Sequence, residues 1–142
     1  MSKTYIPVAL RRRVQADSRG RCGYCLSPQK LIYGKLVCDH LHPESKGGKT
    51  ERENLWMACR HCNEHKQART HAHDPLTGEL TLLFNPRYQV WSSHFRWSQD
   101  GVYVVGLTSI GRATVVALNM NDQEITKTRQ QWATVGWHPP KD

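Results

Sequence analysis

Apolar residues in the first half of the chain come in short clusters separated by polar stretches. After Pro7, the residues Val8, Ala9, Leu10 and Val14 form a partial stripe beside Arg11, Arg12 and Arg13. This predicts a short helix opened by a first-turn proline, which gives up only an unpaired N–H. Gly20 is its expected stop. Leu31-Ile32-Tyr33 reads as extended. Residues 35–41, with Leu36 and Val37, predict a strand, and 43–54 a polar loop containing Gly47-Gly48. Asn54-Leu55-Trp56-Met57-Ala58, short and apolar, predicts a second strand or a turn. Residues 60–71 have few breakers and predict a helix.

The pattern then changes. Asp74-Pro75-Leu76-Thr77-Gly78 is a turn cluster, which places a domain boundary between 1–73 and 74–142. Residues 79–84 predict a strand. Phe95-Arg96-Trp97 and 102–107 predict a hairpin across Asp100-Gly101. Thr108 or Ser109 can cap a helix through Leu118, and Asp122 another through about Val135, with Gly136 as its stop. Trp91, Trp97, Trp132 and Trp137 lie in this half and are expected in its core.

Composition sharpens the picture. The chain has 142 residues and is 38% hydrophobic. That suits one domain, or a small domain with an extension, whose thin core relies on a metal or disulfides. No apolar run approaches the roughly 20 residues of a membrane span. Met1 to Pro7 carries no signal-peptide apolar region, so a reducing, cytoplasmic setting is expected. The net charge is +8, and it is uneven. Residues 1–72 hold 14 Lys/Arg against 6 Asp/Glu, while 73–142 hold 6 against 6. A basic field confined to one half suits a polyphosphate partner.

That same half holds the candidate chemistry. Cys22-Gly23-Tyr24-Cys25 and Cys59-Arg60-His61-Cys62 are two Cys-x-x-Cys pairs, and four thiolates so spaced can close a tetrahedron around one structural zinc. The alternatives are four reduced core cysteines or two disulfides. Cys38 reads as a buried strand cysteine rather than a ligand. Between the pairs stands Asp39-His40, a hard carboxylate ligand beside a base with an ordinary pKa near 6.5. The amide oxygen of Asn63 can complete a metal site with Asp39. Asn54 can hydrogen-bond backbone and hold the histidine in place. Lys46 and Lys49 on the loop, and Lys66 and Arg69 on the helix, are candidate phosphate contacts.

CGYC followed by CDHLHPESKGGKTERENLWMACRHCNEHK resembles the HNH endonucleases of the ββα-metal class, over Cys22 to Lys66. The segments LFNPR and FRW more loosely resemble a C-terminal extension of bacterial HNH proteins. The resemblance implies an α+β fold: a zinc-clamped ββα-metal core with a small α/β extension. It implies that His40 is the general base, that Asn54 is the central N, and that Asp39 is a protein ligand of a catalytic Mg²⁺ or Mn²⁺. Asn63, where the family commonly has His, makes this an H-N-N form, with His65 as the alternative for that position. The implied activity is hydrolysis of phosphodiester bonds in DNA, most simply double-stranded. The alternatives are a non-catalytic zinc-knuckle DNA-binding module and an HNH nuclease acting on RNA.

Overall fold

The computed structural model describes residues 5–141. Within them the chain is α+β, with five α-helices and three two-stranded antiparallel sheets. It forms two compact units. One runs to Thr70 and takes in Asn85–Gln89; the other holds His71–Phe84 and the chain from Val90 onward.

In the first unit, α1 (Val8–Asp17) starts after Pro7, as its first-turn proline predicts. It stops where Arg19 and Gly20 turn to positive φ. Val14 is its buried anchor, and the Arg11 guanidinium donates to the Leu36 carbonyl at 2.6 Å. The expected extended stretch at 31–33 is preceded by a 3-10 turn, Gln29–Leu31, that takes in Leu31. The Gln29 amide closes this loop by donating to the Gly34 carbonyl and accepting the Leu36 N–H, each at 2.7 Å.

Strand β1 (Val37–His40) pairs with β2 (Leu55–Ala58), with Asp39 opposite Trp56 and His40 opposite Leu55. Leu55, Met57 and Ala58 are buried with Leu36 and Tyr24 in this unit's core. Helix α2 (Arg60–Lys66) follows, shorter than the expected 60–71. Gln67 breaks it at φ 56°. Arg69 then folds its guanidinium onto the carbonyls of His65 and Lys66 at the helix end.

The returning segment Asn85–Gln89 completes the unit. Arg87 donates to the Leu55 carbonyl at 2.9 Å and pairs with Asp17 at 2.9 Å. Its guanidinium also lies 4.9 Å from the centre of the Trp56 ring, a cation–π contact. The Tyr88 hydroxyl donates to the Glu53 carbonyl.

In the second unit, β3 (His71–His73) pairs with β4 (Leu80–Leu82), so the turn cluster at 74–78 closes a hairpin. Buried Asp74 accepts from Leu76 N–H, from the Thr77 hydroxyl and, on both oxygens, from Arg112. A short helix that the hydrophobic pattern did not predict, α3 (Trp91–His94), leads into the hairpin β5 (Phe95–Trp97) and β6 (Val104–Gly106). The capped helices follow as expected: α4 (Ser109–Ala117) on Thr108 and α5 (Gln123–Thr134) on Asp122. Phe84, Phe95, Val104, Leu118 and Met120 form the core. Trp91, Trp97 and Trp132 are half-buried; Trp137, expected inside, is 58% exposed.

Candidate active site

The two knuckles meet. The sulfurs of Cys22, Cys25, Cys59 and Cys62 lie within 4.8 Å of one another, all buried. The Cys25 and Cys59 sulfurs are 3.7 Å apart. Four sulfurs about 2.3 Å from a central zinc stand about 3.8 Å apart, so the cage has the size of a tetrahedral zinc site. Backbone N–H groups of Tyr24 and Cys62 point at Cys22 Sγ and Cys59 Sγ, each at 3.4 Å, as donors to thiolate. Electrostatics also call for a cation. Burial pushes the Cys22 thiol up, and hydrogen bonds from the neighbouring thiols, Cys22 first, push Cys25 down. The sulfurs cannot all ionise together in this dry space without a divalent ion. Cys38 stays outside the cage, half-buried, with its thiol 3.5 Å from the Met57 sulfur.

Asp39 and His40 are adjacent on β1 and therefore face opposite ways. Asp39 turns to the knuckle and α2. Its Oδ2 accepts from the Tyr24 hydroxyl at 2.7 Å. Its Oδ1 accepts from Asn63 Nδ2 at 3.3 Å and from Lys66 Nζ at 3.2 Å. The carboxylate and the ammonium are 4% and 3% exposed. His40 turns to the loop, where its Nε2 meets Thr50 Oγ1 at 2.9 Å and lies 3.7 Å from Glu44 Oε1. One strand end thus builds two polar clusters back to back.

The other candidates fall as follows. Asn63, on the first turn of α2, reaches Asp39; His65 instead hydrogen-bonds the His61 carbonyl through Nδ1 and lies against the His61 ring. Asn54 clasps the loop: its Oδ1 accepts from His42 N–H, and its Nδ2 donates to the carbonyls of His42 and Lys49. Lys46 and Lys49 are exposed on that loop. Lys66, expected to grip phosphate, is buried, with its ammonium on Asp39 and on the His40 carbonyl. Its helical position puts it over β1, where Asp39 needs a counter-ion. Arg69 likewise turns to carbonyls of its own helix end. Tyr24, Thr50 and Glu44 belong to the site and were not singled out from the sequence. Glu44 lies four residues after His40, and no pattern in the sequence marks the other two.

The donor types beside Asp39 are those a hard cation takes. The donors are a carboxylate and an amide that carries an oxygen as well as the NH₂ it presents here. The Lys66 ammonium already pairs with Oδ1, so a metal ion there would have to displace it.

Two antiparallel strands, a polar loop and a helix, clamped by four cysteines around an Asp-His strand end, form a ββα core. Residues 22–69 match the family described as HNH endonuclease. Comparison with curated proteins and with solved structures finds no match. Among the described residues, no helix is long and apolar enough to cross a membrane.

Proposed function

We propose that this protein is a metal-dependent endonuclease that hydrolyses phosphodiester bonds in DNA, with His40 as general base. The observation that carries the reading is the strand end of β1, where a buried imidazole held by Thr50 and Glu44 adjoins an Asp39–Asn63 cluster. With the Nε2 proton directed to Thr50 and Glu44, Nδ1 keeps the lone pair and takes the proton of an attacking water. Asp39 and Asn63 would hold Mg²⁺ or Mn²⁺, which when bound supplies Lewis-acid stabilisation of charge on the phosphate and leaving oxygen. Asn54 acts one step back, holding both ends of the loop that carries Glu44 and Thr50. Cys22, Cys25, Cys59 and Cys62 hold a structural zinc. The exposed Lys46 and Lys49 draw the phosphate backbone to this face, and the basic balance of residues 1–72 favours nucleic acid generally.

The test is His40→Ala on plasmid DNA and on RNA, with Mg²⁺, with Mn²⁺ and without either. Loss of a general base lowers the rate by about 10²–10⁴, while zinc content and salt-dependent DNA binding stay at wild-type levels. Cleavage at the wild-type rate would make the chain a zinc-knuckle binding module. Cleavage confined to RNA would move the substrate to that class.

A further inference from the structure

Between the first knuckle and β1 the chain folds back as a braced finger. Its base is pinned to the turn after α1: the Gln29 N–H donates to the Gly20 carbonyl at 2.9 Å, and Arg21 bridges Pro28 as antiparallel backbone. The Gln29 side chain clasps the returning arm at Gly34 and Leu36. Arg11 holds the Leu36 carbonyl from α1, and Leu36 itself is buried. Gly34 turns the tip at φ 86°.

At that tip stands Tyr33, fully open to water at 105% relative exposure. A single exposed apolar residue is ordinary. What distinguishes this one is its braced backbone and its charge setting. Turns are usually tipped with Gly, Asn, Asp or Ser; here Gly34 and Gln29 make the turn, and the position before Gly34 carries a ring. Lys30 and Lys35 are exposed on either side of it in sequence. From Ser18 to Cys38 the chain has four Lys/Arg and no Asp or Glu. Two of these, Arg19 and Arg21, stand at the base of the finger.

A braced tip has little backbone freedom left to lose on binding. Its lysines call for a polyanion, and its ring calls for a flat face. A nucleic-acid strand offers both, as phosphates and as the π-faces of bases. We infer that Tyr33 is a base-stacking residue: its ring stacks on a nucleobase with an open face, in a single strand or at a break in a duplex, while Lys30 and Lys35 contact adjoining phosphates. The inference rests on the nucleic-acid partner proposed above and adds the form of strand that the protein grips.

The experiment uses the full chain, zinc-loaded, without added Mg²⁺ or Mn²⁺, as wild type, Tyr33→Ala, Tyr33→Phe and Tyr33→Leu. Fluorescence anisotropy reads binding to an end-labelled DNA single strand and to the same strand closed in a blunt duplex whose ends are capped by hairpin loops. Zinc content and melting temperature should stay at wild-type values, since the exposed ring packs on nothing. Tyr33→Ala should bind the single strand about 5–150-fold more weakly, the loss of one base–aromatic stack, and the closed duplex with much less change. Tyr33→Phe should keep wild-type affinity, and Tyr33→Leu should weaken as Tyr33→Ala does. Wild-type affinity in Tyr33→Ala, with wild type binding and cutting DNA, overturns the role of Tyr33 and leaves the nuclease reading standing. Rescue by Tyr33→Leu as full as by Tyr33→Phe makes the contact apolar rather than stacked, and equal loss on strand and duplex removes the open base; either overturns the inference. A wild type that binds neither form overturns the nucleic-acid reading, and the role of Tyr33 falls with it.

Discussion

Gly47 and Gly48 are adjacent, but the structure separates their roles sharply. At Gly48 an added Cβ would lie 1.7 Å from the His42 carbonyl oxygen and 2.9 Å from that of Pro43. Side-chain carbons do not approach other atoms within 3.0 Å, so the loop would have to open there by about 1.3 Å. The His42 carbonyl accepts from Asn54 Nδ2, and the Pro43 carbonyl from the Gly48 N–H. Losing both bonds costs about 2 kcal/mol, taking about 1 kcal/mol for each. The same opening displaces Glu44 and Thr50, which hold the His40 ring, and a misplacement of about 1 Å at a reacting group can lower a rate about 10²-fold. Gly47 differs: its φ is 94°, and nothing lies within 4 Å of its added Cβ. Gly47→Ala therefore meets only left-handed backbone strain, about 1–2 kcal/mol. The assay compares cleavage rate, melting temperature and zinc content for Gly47→Ala and Gly48→Ala. Gly48→Ala should lose about 10²-fold in rate with zinc retained, and Gly47→Ala much less. Equal rates for Gly48→Ala and wild type would refute the account of the loop as the support of His40.

Cys59→Ser should unfold the first unit, since a structural zinc contributes on the order of 10 kcal/mol to folding; metal analysis and circular dichroism check it, and wild type should hold one zinc per chain. Lys66→Met leaves Asp39 buried without its cation and should destabilise by about 3–5 kcal/mol in the absence of Mg²⁺. Adding Asp39→Asn should recover part of that loss in a urea-denaturation double-mutant cycle. Asp17 is held down to about 2, first by its hydrogen bond from Arg52 and also by that from Arg87. A carboxylate depressed on folding stabilises above its unfolded pKa, about 3.9, and that contribution disappears as pH falls through the folded value. Acid unfolding between about pH 4 and pH 2 should therefore lose this component in Asp17→Asn, as read by urea midpoints across the range.

What could be read from the sequence is what local chemistry decides. The zinc cage was legible because each Cys-x-x-Cys pair fixes half a tetrahedron within four residues. Helices α4 and α5 were legible from Thr108 and Asp122, whose side chains cap their own first turns. The β5–β6 hairpin was legible from Asp100-Gly101. Other features were not. The end of α2 is set by Gln67 in a left-handed conformation, where no glycine marks the stop. His71–His73 pairs as a strand without any apolar alternation to announce it. The inward turn of Lys66 depends on a carboxylate 27 residues away, and a basic residue on a helix carries no sign of which face the fold will bury.

The return of Asn85–Gln89 bears on how this domain can be moved or trimmed. The HNH segment ends in sequence at 69, yet Arg87 and Tyr88 still close over Asp17, Glu53, Leu55 and Trp56. The first unit is therefore not a contiguous cassette. A cut after Thr70 leaves Asp17 with one arginine instead of two and uncovers the Trp56 ring. A graft onto another scaffold has to carry the later five residues with it, and a protease that nicks between 71 and 84 need not release the strap from its partners.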